Sequence, residues 1–209
     1  MNCLLCHSDS MPFELNAFLC SECHLVFKNP ENFYNHDEDV KRYSTHQNTS
    51  EDQGYVDFLK KIVTPLKPFL PKSFEALDFG CGPGPTMPLL LEELGGKVEN
   101  YDPIFFPDAH LLIPDFYDVV TCTEVVEHFK NPSADWEQLV EQVKDGGILA
   151  IMTLLYSKDI DYKKWWYIKD PTHVVFYQKE TINWLAEKFN LEILYSDNKS
   201  VIIFKKREF

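Results

Sequence analysis

No stretch of the 209 residues approaches the roughly 20 consecutive apolar positions that a membrane-spanning helix requires. The opening residues, MNCLLCHSDS, lack a positive segment followed by an apolar one, so they do not read as a secretion signal, and cytoplasmic residence is the expectation. Positive charge is short: 20 Lys and Arg stand against 33 Asp and Glu, a formal net charge of −13. Nucleic-acid binding rests on clustered cations that displace counterions, so a nucleic-acid partner is disfavoured. The terminal KKREF is basic but short, and reads as a solvated tail. Internal repeats and low-complexity segments are also lacking. The length suits one full-sized domain with a small accessory module, and nothing in it sets an oligomeric state.

What is there begins with cysteine. Four of the six cysteines form CLLC and CSEC, namely Cys3, Cys6, Cys20 and Cys23. Two CxxC pairs across a short loop are the spacing of a zinc ribbon, each pair making a knuckle whose sulfurs converge on a tetrahedral ion. Disulfides suit a secreted chain, and a redox pair needs no second pair. Four thiolates leave no open coordination position, so the expected zinc is structural. Its binding supplies folding energy that about thirty residues cannot supply from an apolar core. The flanking His7 and His24 are not needed as ligands.

Residues 1–30 are read as this ribbon, 31–53 as a polar acidic linker, and 54–209 as the main domain. Ser50 and Gln53 suggest a capping box before a helix whose stripe of Tyr55, Phe58, Leu59, Ile62, Val63 and Leu66 reads as core. From residue 74, strands (FEALDF, KVENY, YDVVTC, GILAIMTLL) alternate with helices (PTMPLLLEEL, ADWEQLVEQV, TINWLAEKF). That order predicts an α/β fold, a doubly wound, mostly parallel sheet covered on both faces. LEILYS and SVIIFKK, joined by DNK, read as a closing antiparallel hairpin.

FEALDF runs into GCGPGP, where Gly80, Gly82 and Gly84 allow a sharp turn and close approach to a ligand. The usual dinucleotide pattern has a further glycine where this chain has Pro85-Thr86. LDFGCGPG resembles the first motif of the class I S-adenosylmethionine-dependent methyltransferases, and ENYDP, DFYDVVTCTEVVEHF and VKDGGILAIMT follow in that family's order. The resemblance implies a Rossmann-like sheet of seven strands, the last antiparallel, with S-adenosylmethionine as cofactor. It implies Asp102 on the cofactor ribose, and Asp78 with Gly80, Gly82 and Gly84 around its amino-acid part. Cys81 and Cys122 are expected to pack rather than react. Between Asp102 and Asp118 the interval is too short for the family's usual helix and full third strand, so adenine contacts do not carry over; Asp108 is one candidate.

TCTEVVEHF places Glu124, Glu127 and His128 at a strand exit, where this fold gathers ligands. Three readings stay open. With His173 they bind a second, divalent ion, as in a similar Glu-x-x-Glu-His set of metal-dependent small-RNA 2′-O-methyltransferases; or His128 is a general base or acceptor contact; or the set only shapes the pocket floor. In KKWWYIKDPTHVVFY, Trp165, Trp166, Tyr167, Asp170, Phe176 and Tyr177 are candidate acceptor contacts, about half of the aromatics being expected to anchor the loop instead. The function expected is methylation of oxygen on a small-molecule acceptor. The alternatives are RNA or protein methylation with the ribbon as recognition module, or a non-catalytic cofactor-binding scaffold.

Overall fold

Three short antiparallel strands, β1 (Ser10–Pro12), β2 (Ala17–Cys20) and β3 (Val26–Lys28), follow one another at the start of the chain. They belong to a computed structural model that describes residues 1–45 and 49–208. Residues 46–48 of the expected linker, and Phe209 of the basic tail, lie outside the described residues.

The linker holds a helix that the sequence reading missed, α1 (His36–Tyr43), opened by a capping box between Asn35 and Glu38. α2 (Gln53–Leu66) is the expected amphipathic helix, but its N-cap is Asp52, whose carboxylate accepts from the Gly54 and Tyr55 amides, rather than Ser50. Then come β4 (Phe74–Phe79), α3 (Met87–Glu92), β5 (Gly96–Tyr101), β6 (Tyr117–Thr123), α4 (Pro132–Glu141) and β7 (Val143–Met152). A two-residue strand β8 (Val175–Phe176), helix α5 (Lys179–Lys188) and the hairpin β9 (Leu191–Ser196) and β10 (Val201–Lys206) complete the chain.

The main sheet has the order β5-β4-β6-β7-β10-β9, parallel from β5 to β7, with β10 antiparallel to both its neighbours. Among the described residues it has six strands, not seven. The missing one is the third: the interval after β5 is spent on a tight return in which Asp102 and Phe106 bridge each other, then a single 3-10 turn, Ala109–Leu111. β5 is therefore an edge. Two apolar cores cover the faces, one built on α2 and α3 with Leu59, Ile62 and Leu91, the other on α4 and α5 with Trp136, Leu139 and Leu185.

A second sheet runs β1-β2-β3-β8, so the short strand after β7 completes the sheet of the first residues. Val26 faces Phe176 and Phe27 faces Val175 across that pairing. Cys3, Leu5, Cys23, Leu25 and Phe27 pack in one apolar cluster with Val126, Tyr177 and Ile182. With strands of three or four residues this N-terminal unit has little core of its own, and it borrows one.

Candidate active site

β4 ends in Phe79, and the chain turns through Gly80 and Gly82, both in the left-handed region with φ of 78° and 67°. A Cβ on Gly80 would lie 2.5 Å from a Val125 methyl, so only glycine fits under the chain leaving β6. Val125 is brought there by Glu124, itself left-handed (φ 54°), whose amide donates to the Met152 carbonyl at 2.7 Å. The helix after the loop has only six residues, and the loop is tied down from β5 instead. The Gly80 amide donates to the Tyr101 carbonyl (2.7 Å) and the Gly82 amide to Asp102 Oδ2 (3.0 Å), while Asp102 Oδ1 accepts from the Ile104 and Phe105 amides (2.8 and 3.0 Å).

Asp78 lies behind this loop, buried, its Oδ1 accepting the Thr121 hydroxyl at 2.8 Å. Burial, opposed by that hydrogen bond and aided by the charge of Asp102, pushes its carboxyl up to about 7. The unfolded chain ionises near pH 4, so the stability this group contributes is full below that pH and is lost as pH rises through about 7. Asp78→Asn keeps the shape and cannot ionise. It is expected to exceed the wild type in stability at pH 8, by on the order of a few kcal/mol, and to match it near pH 4. Thermal melts at the two pH values check this, and a difference independent of pH would contradict it.

In front of the loop is a chamber of about 750 Å³. One end is lined by Gly80, Gly82, Asp102, Ile104, Phe105 and Val125, the other by His36, Asp39, Tyr43, Glu124, His128 and His173, with Tyr55 and Phe58 of α2 along the wall. Gly84 and Asp108 are not part of it; Asp108 caps the 3-10 turn by accepting the His110 amide at 3.0 Å. α1 forms a wall of the second end. Its Asp39 pairs with Lys130, which also donates to the Tyr34 carbonyl, and its Arg42 donates to Asp170 at 2.6 Å.

The strand-exit residues meet at that end. His128 donates its Nδ1–H to the Thr172 carbonyl, and His173 donates its own to the Tyr167 carbonyl, both at 2.9 Å; a carbonyl can only accept, so in each ring Nδ1 carries a proton and Nε2 is the nitrogen that offers the lone pair of the neutral form. The two rings are 4.8 Å apart, centroid to centroid. Burial, then the neighbouring His128, pushes the His173 imidazole down to about 3, so it is neutral. Glu127 is fully buried, with Oε1 accepting the Tyr167 hydroxyl at 2.6 Å and Oε2 without a hydrogen-bond partner among the described residues. One donor atom each from Glu127, His128 and His173 fall within 4.8 Å of one another. Burial and the charge of Glu127 push the adjoining Glu124 carboxyl up to about 9.

Of the residues expected to contact an acceptor, none of Trp165, Trp166, Tyr167, Asp170 and Tyr177 lines the chamber. Trp165, Tyr167 and Phe176 pack on one another in a separate aromatic cluster, and Trp166 is 65% exposed. Tyr177 braces the turn before His128, its hydroxyl donating to the Val126 carbonyl at 2.9 Å and accepting from Trp136 at 3.0 Å. Asp170 is occupied by Arg42 and Thr172. Aromatic content marked this loop, but content does not say which way a ring faces.

The four cysteines also gather. Cys3 and Cys23 sulfurs are 3.5 Å apart and those of Cys6 and Cys20 3.3 Å, with Leu5, Glu22 and Cys23 amides pointing at sulfur. Disulfide sulfurs lie about 2.05 Å apart. Sulfurs on one tetrahedral ion with ~2.3 Å bonds lie about 3.8 Å apart, and the observed spacing fits that set. His7 and His24 follow the knuckles in left-handed turns, outside the cluster.

Among the described residues no helix is long and apolar enough to cross a membrane. No curated protein matches the chain. Among solved structures it is similar to 1,6-didemethyltoxoflavin-N1-methyltransferase of Burkholderia thailandensis, with bound 1,6-didemethyltoxoflavin and S-adenosylhomocysteine (12% identity, 96% of this chain and 100% of that one, TM-score 0.57). It is also similar to phosphoethanolamine N-methyltransferase 2 of Haemonchus contortus in complex with S-adenosylmethionine (15%, 83% and 57%, TM-score 0.52) and to a protein of Pyrococcus horikoshii (12%, 80% and 99%, TM-score 0.52). At such identities these likenesses speak for the fold. The model of a methyltransferase-domain family matches residues 48–196, and with the glycine loop, the Asp102 tie and the sheet order in place, the chain belongs to the class I S-adenosylmethionine-dependent methyltransferases.

Proposed function

We propose that the protein methylates a hydroxyl oxygen of a small acceptor held beneath α1, with a divalent ion at Glu127, His128 and His173 and a structural zinc at Cys3, Cys6, Cys20 and Cys23. The observation that carries the reading is Glu127, whose Oε2 has no hydrogen-bond partner among the described residues and whose carboxylate puts one oxygen within 4.8 Å of a ring nitrogen of each of two imidazoles, their Nδ1–H groups already committed to carbonyls. A buried carboxylate oxygen without a donor is costly, and second-bonded imidazoles are how proteins present Nε2 to a metal. Two neutral nitrogens and one carboxylate suit a borderline transition ion better than magnesium, which prefers oxygen.

S-adenosylmethionine brings an electrophilic methyl on its sulfonium; the chain's task is to hold the acceptor in line and keep water out. Bare backbone at Gly80 and Gly82, the Asp102 carboxylate, and the Ile104, Phe105 and Val125 side chains supply the cofactor end. His36, Tyr43 and His128 face the acceptor end, where α1 forms part of the wall. A divalent ion there would acidify and orient an acceptor hydroxyl. That favours oxygen over the nitrogen acceptors named for the neighbours, since an amine already has a lone pair to offer. A chamber of about 750 Å³ and net acidity both favour a small molecule over RNA or protein. Cytoplasmic residence agrees with six free cysteines.

Calorimetry with S-adenosylhomocysteine, and a Co²⁺ titration after dialysis against a chelator mild enough to spare the ribbon, test the two halves. One nucleoside site and one Co²⁺ site per chain are expected. No nucleoside binding would end the cofactor reading. Nucleoside binding without Co²⁺ binding would replace the ion by His128 Nε2 as general base.

A further inference from the structure

Tyr167 does not line the chamber, yet it reaches three of the four clustered residues Glu124, Glu127, His128 and His173. Its side chain is 1% exposed. The hydroxyl lies 2.6 Å from Glu127 Oε1, 3.4 Å from Glu124 Oε2 and 3.2 Å from Thr153 Oγ1. Its ring sits 4.1 Å from the His173 ring, centroid to centroid, and its carbonyl accepts the His173 Nδ1–H. A phenol has one proton to give, and the shortest contact, to Glu127, takes it. The Thr153 hydroxyl is then the donor to the phenol oxygen, assisted at longer range by the Leu154 amide, 3.4 Å away.

We propose that Tyr167 is a positioning residue for the ion site, its hydroxyl turning Glu127 so that Oε2 is left for the ion and its carbonyl holding His173 in the tautomer that leaves Nε2 free. This rests on the ion-site reading of Glu127, His128 and His173. One residue thereby sets two of the three donors, Glu127 by its side chain and His173 by its backbone. Without its hydroxyl, Glu127 keeps no fixed partner for either oxygen and is free to rotate away from the histidines. The backbone contribution survives any substitution that preserves the ring packing, so Tyr167→Phe isolates the hydroxyl.

The test uses the full-length protein with its ribbon ion in place. Tyr167→Phe is expected to weaken Co²⁺ binding about 10- to 100-fold, the usual cost of losing an outer-shell partner, and to shift the Co²⁺ absorption bands, with S-adenosylhomocysteine affinity unchanged. Thr153→Val, which leaves the phenol in place but unanchored, is expected to weaken Co²⁺ binding by less, and provides the reading if Tyr167→Phe does not fold. Co²⁺ affinity within twofold of the wild type in both variants overturns the role of Tyr167. Equal losses of Co²⁺ and nucleoside affinity also overturn it, since a general loss of packing would act on both. Absence of Co²⁺ binding by the wild type overturns the ion-site reading first and this inference with it.

Discussion

Cys20→Ser is expected to disable far more than the first thirty residues. β1, β2 and β3 have only three or four residues each, so the ion their cysteines would hold is expected to supply most of their own folding energy. Structural zinc contributes apparent free energies on the order of 10 kcal/mol to such units. Elsewhere its loss would free a terminal module. Here β3 pairs with β8, the Lys28 amide donates to the Val174 carbonyl at 2.9 Å, and Gln178 donates to the His24 carbonyl at 2.7 Å. Val174 in turn donates to the Glu127 carbonyl at 2.9 Å, so the segment carrying His173 is held between the ribbon and the turn carrying Glu127 and His128. The melting temperature is expected to fall by more than about 10 °C, since each kcal/mol is worth roughly 2–4 °C in a chain of this size. Co²⁺ binding at the histidines should disappear at temperatures where the variant is still folded. S-adenosylhomocysteine binding should largely survive there, because the glycine loop and Asp102 belong to β4 and β5, which do not pair with the ribbon. Metal analysis, melting curves and calorimetry on one preparation decide the matter. A two-step melt with the histidine site intact after the first step would show the ribbon to be separable, and the clamp would be discarded.

What the sequence made legible follows from which interactions are local. Strand and helix alternation, the glycine loop and the Glu-His cluster are short-range patterns, and each is found in its expected element. The third strand was withheld by arithmetic visible in the sequence, an interval too short to hold it. α1 escaped because its charges are spread around the helix; the signal was there, in the Asn35 and Glu38 capping box. β8 was out of reach, since two residues paired with a strand nearly 150 positions earlier leave no periodicity to detect. The stripe of α2 was read as core, and Leu59, Ile62, Val63 and Leu66 are core, but Tyr55 and Phe58 turn to the chamber. The histidine tautomers, which give the site its chemistry, depend on carbonyls that only the folded chain brings near.

Asp102→Ala is expected to weaken S-adenosylhomocysteine binding by about 100-fold or more while leaving the protein folded. The carboxylate ties two loops together: Oδ2 takes the Gly82 amide, and Oδ1 takes the amides of Ile104 and Phe105. Alanine orphans three donors at once, each costing roughly 1–3 kcal/mol where water cannot replace the acceptor, and every 1.4 kcal/mol lost from binding is tenfold. The core beneath, with Leu77, Val120 and Leu149 fully buried, is untouched. Asp102→Asn is the informative intermediate. Its single carbonyl oxygen can serve Gly82 or the Ile104 and Phe105 pair, but the amide NH₂ then faces the remaining donors, so a loss nearer to tenfold is expected. Because each carboxylate oxygen can accept more than one hydrogen bond, bracing the loops does not exhaust Asp102, and a direct bond to a ribose hydroxyl is compatible with it. A double cycle separates the two tasks: binding of S-adenosylhomocysteine and its 2′-deoxy analogue to wild type and Asp102→Asn. If Asp102 meets the 2′-hydroxyl, deleting that hydroxyl costs the wild type much more than the variant. If it acts only as a brace, the two deletions add. Affinity within threefold of the wild type in Asp102→Ala would remove the residue from the cofactor site altogether.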